Sequence, residues 1–241
     1  MVQNDENSVD FASKANRTDA LALVAKSALG AVPVLGPMMA EIVGAIIPNQ
    51  RFDRLTRLVE VLAEKVKDVE RALVGARLKT SQGVDLLEDG FLQAARALSE
   101  ERIGYIADIL RAGITDEQSK MAEKKHLMRI LGELDDEEVI LLARYGGLVM
   151  GTRGEEFAQR HALTIGPKSI SSRSSQMERD EAALYEGRKT HLVNLGLLRL
   201  RFQKPRRGQA VSADALERMT KPAGHAITPL GRLLLRTINP Q

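Results

Sequence analysis

The sequence predicts a mainly α-helical protein, with an amino-terminal helical bundle followed by a smaller α+β unit that contains a short antiparallel β-hairpin. Three observations predict this fold class. Apolar residues recur at spacings of three and four over much of residues 52–145, no proline occurs between Pro48 and Pro167, and short extended runs follow Gly196. Because proline removes a backbone donor and this spacing places side chains on one helix face, the middle of the chain is expected to be helical.

Composition allows a packed core and excludes several kinds of chemistry. The chain has 241 residues, enough for one large or two ordinary domains, and 44% of them are hydrophobic. It contains no cysteine, which excludes disulfide scaffolds, Cys-ligated zinc, iron–sulfur clusters and thiol catalysis. Aromatic residues make up 3% of the chain, so we expect an aliphatic core and no base-stacking platform.

Charge divides the chain into two parts. Residues 1–150 carry 19 basic and 24 acidic side chains, whereas residues 151–241 carry 16 basic and 8 acidic ones. This asymmetry predicts two units with different partners. We expect a flexible amino terminus over residues 1–17, a helical bundle over 18–133 and a second domain over 134–241.

The first strongly periodic segment begins after Asn49, which is a good helix N-cap. Its pattern predicts one helix of about 25 residues with a single apolar seam. One interpretation of this seam is a bundle helix that faces the chain's own core. The alternative is a dimeric coiled coil, in which the seam is a partner or oligomer surface. The seam consists of Phe52, Leu55, Val59, Leu62, Val66, Val69 and Leu73.

Several shorter helices are predicted after this seam. The same spacing of apolar residues continues from Val84 to Leu98, and Ser99 is expected to cap a helix that stops at Gly113. Residues 115–118 and 135–138 have the pattern of capping boxes, and the second of these opens a helix that ends at residues 146–147. Short connections of this kind predict antiparallel neighbours in a bundle.

The segment over residues 20–48 is apolar and leaves two interpretations open. Its longest uncharged run is 14 residues, from Ser27 to Ala40, and Pro33 and Pro37 interrupt it. A membrane span needs about 20 apolar residues, so we expect a helical hairpin inside the bundle. The alternative is a membrane-active, pore-forming effector that inserts this hairpin. Residues 1–19 are too acidic and polar for a signal peptide, which favours a cytoplasmic protein.

The carboxy-terminal pattern is the most specific one in the chain. Ser175 and Glu178 predict a capping box for a helix that ends at Gly196, followed by an extended run over residues 197–202. A basic turn over 204–208, an insertion near 212–219 and a second extended piece over 226–228 come next. Thr228 and Pro229 then suit the N-cap and first position of a last helix. This order resembles the winged helix-turn-helix fold, in which a recognition helix leads into a two-stranded wing.

The basic residues of this unit predict contact with nucleic acid, and its acidic residues argue against it. The presumed recognition helix carries four acidic residues over 178–186, which phosphates repel. Phosphate-backbone binding and a protein-interaction role both remain open, as does a winged-helix transcriptional regulator with a helical oligomerisation domain. The candidate nucleic-acid-binding residues are Arg188, Lys189, Arg199, Arg201, Lys204, Arg206 and Arg207.

Motifs of catalysis are missing from the sequence. The four histidines are scattered without a partner at helical spacing, and no dinucleotide-binding, phosphate-loop or nucleophile-elbow motif occurs. Neighbouring carboxylates, such as Asp135 and Asp136, lie at predicted helix starts, where capping accounts for them. We therefore expect no enzyme activity, no metal and no cofactor.

The order of these parts resembles the Abi-alpha type of bacterial abortive-infection protein. The matching stretches are residues 30–48, 87–110, 134–142 and 195–235. The resemblance implies a bacterial or prophage-encoded protein of phage conflict, and the family offers no catalytic residues. We therefore expect a non-enzymatic binding or regulatory protein that contacts nucleic acid or a protein partner through its basic carboxy-terminal unit and that can form a homo-oligomer.

Overall fold

The structure is a computed structural model that describes residues 49–116, 121–147, 152–166, 168, 170–202 and 222–240. Within these ranges it is mainly helical, with one small two-stranded antiparallel sheet, as the sequence predicts. Backbone contacts divide the chain into two compact units, residues 1–133 and 134–241. The predicted flexible terminus over 1–17 and the apolar hairpin over 20–48 lie outside the described residues.

The amino-terminal unit is a helical bundle with α4 at its centre. Its core is mainly aliphatic, with Phe52, Phe91 and Tyr105 as the buried aromatic residues among those described, and α4 contacts each of the other four helices. Because four short helices pack their apolar side chains against α4, all five helices contribute to the core. The helices are α1 (Asn49–Lys65), α2 (Arg71–Leu78), α3 (Ser81–Ala94), α4 (Glu100–Thr115) and α5 (Met121–Glu133).

The predicted apolar seam faces the core of this unit. Phe52, Leu55, Val59, Leu62 and Val66 are buried, whereas Val69 and Leu73 are half-buried. The chain's own helices therefore cover most of the seam that was also considered as an oligomer surface.

The single helix of about 25 residues that we predicted is wrong, because α1 ends at Lys65 and α2 starts at Arg71. Contacts from α4 accompany this end. The Arg111 guanidinium donates to the carbonyl of Lys65 over 3.1 Å, and the Lys65 ammonium lies 2.6 Å from the Asp108 carboxylate. Terminal carbonyls of a helix need partners from outside it, and α4 supplies one here.

Two other local predictions are wrong for related reasons. Leu98 was expected on the apolar face of α3, but that helix ends at Ala94 and the Leu98 side chain is 87% exposed. Gly113 was expected to stop α4, which continues to Thr115. A Cβ atom at Gly113 would lie 2.6 Å from Leu86 Cδ2, so the glycine permits close helix packing instead of capping. The predicted Ser99 cap is confirmed, and the box over 115–118 extends outside the described residues.

The carboxy-terminal unit contains five helices and two strands in the described ranges. Arg144 links three of its helices, since Nη1 donates to the Tyr185 hydroxyl over 2.8 Å and to the carbonyl of Ile165. The capping boxes at Asp135 and Ser175 are confirmed. The elements are α6 (Asp136–Tyr145), α7 (Thr152–Arg160), α8 (Ala162–Ile165), α9 (Gln176–Asn194), β1 (Leu198–Phe202), β2 (Pro222–Ile227) and α10 (Pro229–Ile238).

The strands β1 and β2 form an antiparallel pair. Leu198 lies opposite Ile227 and Arg201 opposite Gly224, with an irregularity between Arg201 and Phe202. The second strand starts at Pro222, earlier than the predicted extended piece over 226–228. In the described part of the chain, none of the helices combines the length and apolar character that crossing a membrane requires.

Candidate nucleic-acid interface

The base of the hairpin is built by the end of α9. Leu197 N–H donates to the carbonyl of Leu192 and Gly196 N–H to that of Val193, each over 2.9 Å. This is the Schellman arrangement, in which two backbone bonds satisfy the last carbonyls of a helix. Gly196 adopts φ +71°, which glycine reaches at little cost. The chain therefore leaves α9 in one defined direction and enters β1.

Thr228 holds the other end of the hairpin against the same turn. Its N–H donates to the carbonyl of Leu197 over 3.0 Å, and its hydroxyl donates to the carbonyl of Gly196 over 2.7 Å. The same hydroxyl oxygen accepts the N–H of Gly231 over 3.1 Å and so caps α10, as predicted. One side chain thus connects the end of α9, the end of β2 and the start of α10.

Arg199 and Arg201 lie on one face of β1, because alternate residues of a strand point the same way. Both side chains are exposed, and they lie opposite two small residues, Ala226 and Gly224. Within the described ranges, neither arginine has a carboxylate partner. Among the described residues, therefore, nothing acidic occupies these two guanidinium groups, and they can serve an external anion.

Arg188 and Lys189 differ from these two arginines because they already have acidic partners. Arg188 Nε lies 3.3 Å from the Asp135 carboxylate, and its Nη2 lies 2.5 Å from that of Glu137. Lys189 Nζ lies 2.5 Å from the Glu186 carboxylate and 4.9 Å from the centre of the Tyr185 ring. The remaining predicted binding residues, Lys204, Arg206 and Arg207, lie outside the described residues.

The first half of α9 carries an excess of negative charge. Glu178, Asp180 and Glu181 are exposed there. Glu181 pairs with Lys168 over 3.2 Å, and the Asp180 carboxylate accepts a hydrogen bond from the Gln176 amide over 2.7 Å. Phosphate groups are repelled from such a surface, so the geometry separates a cationic strand from an anionic helix.

Sequence reasoning missed an open groove of about 610 Å³ between the start of α6 and one face of α9. Asp135 and Glu138 line it on the α6 side, and residues between Asp180 and His191 line it on α9. His191 Nδ1 lies 2.7 Å from Glu138 Oε1, and Glu138 Oε2 accepts the N–H of Asp135 over 2.9 Å. The spacing of Asp180, Leu184 and Arg188 was the signal in the sequence that could have indicated a shared helix face.

Two titratable rings meet beside the hairpin. The His225 ring on β2 lies 6.0 Å from the Tyr145 ring on α6, measured between centroids. Partial burial lowers the pKa of His225, and the Lys189 ammonium lowers it further, while Glu186 opposes them. Burial also raises the pKa of Tyr145. Both shifts follow from the cost of removing a charged form from water.

The described ranges contain no cluster of three acidic or histidine side chains arranged to hold a metal ion.

Comparison with protein-family models, with curated proteins and with solved structures finds no match to this chain.

Proposed function

We propose that the protein is a non-enzymatic binding protein whose carboxy-terminal unit is winged-helix-like and whose hairpin contacts the phosphate backbone of nucleic acid. The observation that carries this proposal is the pair of exposed arginines on β1, Arg199 and Arg201, which have no carboxylate partner in the described part of the chain. Lys204, Arg206 and Arg207 follow them closely in the sequence and extend the same positive charge.

The order of elements supports a winged-helix-like unit. Helices α6 to α9 precede the hairpin, α9 leads into β1 through a tight turn, and β2 returns to the same turn through Thr228. In this interpretation α9 occupies the position of the recognition helix and the β1–β2 hairpin is the wing. The wing is fixed at its base, so its arginines are presented by a structured element.

The charges favour binding through the wing and not through α9. The exposed acidic residues of α9 oppose insertion into a groove lined by phosphates, and its basic residues Arg188 and Lys189 already have carboxylate partners within the chain. Contacts to phosphates position a protein on a duplex without reading its sequence. We therefore expect binding with little sequence preference.

A titration of labelled duplex DNA with the full chain tests this proposal. Arg199→Ala combined with Arg201→Ala should weaken binding to every duplex by about tenfold or more at about 0.1 M salt. The reason is that each phosphate contact contributes a factor of about eight for each tenfold decrease in salt.

The matched control for this titration is Arg51→Ala combined with Arg96→Ala, which removes the same charge from exposed positions of the amino-terminal unit. This control should bind DNA nearly as the unmodified chain does. Equal weakening by both double variants would attribute the binding to net charge and would remove the hairpin from the proposal.

Phage conflict is the biological setting that this proposal favours, and the Abi-alpha resemblance of residues 30–48, 87–110, 134–142 and 195–235 supports it. Phages should plate at least about tenfold less efficiently on bacteria that express the chain. The Arg199→Ala and Arg201→Ala double variant should restore plating if the wing acts in defence. Equal plating with and without the chain, over a panel of phages, would contradict this setting.

A further inference from the structure

The exposed face of α9 contains a charge pattern that is complementary to itself. Asp180, Leu184 and Arg188 follow one another at intervals of four and therefore lie along one stripe of the helix. The Leu184 side chain is 62% exposed at the middle of the stripe, and Met177, about two turns closer to the amino terminus, is 70% exposed. Leu184, Asp180 and Arg188 also line the groove between α6 and α9.

From this pattern we infer that two copies of the chain associate through antiparallel α9 helices around a twofold axis at Leu184. Residues equally far from Leu184 then face one another, so the Asp180 carboxylate of one copy meets the Arg188 guanidinium of the other. An interface around a twofold axis uses the same patch on both copies, and opposite charges at equal distances from the axis satisfy this requirement. The two Leu184 side chains cover each other at the centre.

The Asp180 carboxylate and the Arg188 guanidinium can each form a further hydrogen bond. Asp180 has Gln176 as its partner in the described part of the chain and no cation there. Arg188 uses Nε for Asp135 and Nη2 for Glu137, so within the described ranges its Nη1 group keeps its donors. A guanidinium carries five N–H donors and can serve a further carboxylate without losing the first two.

Gly187 lies beside the stripe and makes a close approach possible. A Cβ atom added there would have no atom of the described residues within 4 Å, so packing in this part of the chain does not require a glycine. Glycine in the middle of a helix lowers helix stability relative to alanine. The close approach of a second α9 helix would account for a glycine at this position.

The predicted seam from Phe52 to Leu73 was the sequence's candidate for association, but the chain itself buries most of it. The α9 stripe is a different surface, and it is independent of the arginines on the hairpin. A variant can therefore lose nucleic-acid binding without losing dimerisation, and the reverse.

Cross-linking tests the axis directly, because the chain contains no cysteine. Leu184→Cys places a thiol on the axis in both copies, so mild oxidation should convert most of the protein to a disulfide-linked dimer. Met177→Cys is the matched control, since it is exposed on the same helix face. Its two copies would lie about 20 Å apart along an antiparallel pair, at 1.5 Å per residue, and should not cross-link.

Sedimentation of the unmodified full chain should show a species of twice the 26.5 kDa chain mass at micromolar concentrations. Asp180→Lys places a positive charge opposite Arg188 and should raise the dimer dissociation constant at least about tenfold, while circular dichroism stays unchanged. A monomer at all concentrations, cross-linking of Met177→Cys as fast as of Leu184→Cys, or a dimer indifferent to Asp180→Lys would each overturn the inference.

Discussion

At the scale of single residues, the surroundings of each basic side chain decide what it can bind. Arg188 and Arg199 are the same residue type eleven positions apart, yet the first pairs with two carboxylates and the second has none in the described ranges. A guanidinium that already holds two carboxylates has less net positive charge to offer a phosphate, whereas an unpaired one loses only its hydration and counterions. The candidate site therefore rests on Arg199 and Arg201.

Two helical glycines should respond in opposite ways to replacement by alanine. A Cβ atom at Gly231 would lie 2.5 Å from the carbonyl oxygen of Leu197, so Gly231→Ala should displace the hairpin base and destabilise the fold by about 1–3 kcal/mol. Gly187→Ala meets no atom in the described part of the chain and should stabilise α9 by about 0.5–1 kcal/mol. Urea unfolding measures both, and equal effects of the two substitutions would contradict the packing described at Leu197.

The lowered pKa of His225 predicts a dependence of stability on pH. Because the folded state binds the proton more weakly than the unfolded state, stability is fully present above about pH 6.5 and decreases as the pH falls toward the folded pKa. The free energy of unfolding should therefore decrease between about pH 7.5 and pH 5 by less in His225→Gln than in the unmodified chain. Equal decreases in the two proteins would refute the assignment.

At the scale of helices and strands, the starts of several elements could be predicted from local sequence. The caps at Ser99, Asp135, Ser175 and Thr228 use side chains within three residues of the backbone group that they satisfy, so the signal lies in a few adjacent letters. The signal for the end of α9, which is Gly196 two residues after Asn194, is local for the same reason.

Helix ends that depend on distant residues could not be predicted in this way. The end of α1 receives a hydrogen bond from Arg111, which lies 46 positions away, and the apolar seam continues past it without a break. Leu98 follows the helical rhythm although α3 has already ended. Periodicity reports which residues could share a face, but contacts between elements decide how far the helix extends.

The groove between α6 and α9 was missed for a similar reason. Its two sides come from residues about 50 positions apart, as in the contact between Glu138 and His191. No spacing rule connects such positions in a single sequence. The charges on α9 were visible, but which of them find partners on α6 becomes apparent only when the two helices are placed together.

At the scale of the whole molecule, separate surfaces of the carboxy-terminal unit are proposed to serve separate tasks. The hairpin offers positive charge, and the α9 stripe offers a self-complementary face. In an antiparallel pair the two Asn194 ends of α9 would lie about 30 Å apart, at 1.5 Å per residue on each side of Leu184. One turn of duplex DNA spans about 34 Å, so both hairpins of a dimer could contact one duplex.

The salt dependence of duplex binding tests the central claim, that Arg199 and Arg201 on the hairpin contact phosphates, most directly. The slope of log association constant against log salt concentration should be shallower by about 1.8 in the Arg199→Ala and Arg201→Ala double variant than in the unmodified chain, or about 0.9 for each phosphate that is no longer neutralised. The Arg51→Ala and Arg96→Ala control should retain the full slope. An unchanged slope in the hairpin variant, or no binding of the unmodified chain at low salt, would contradict the claim.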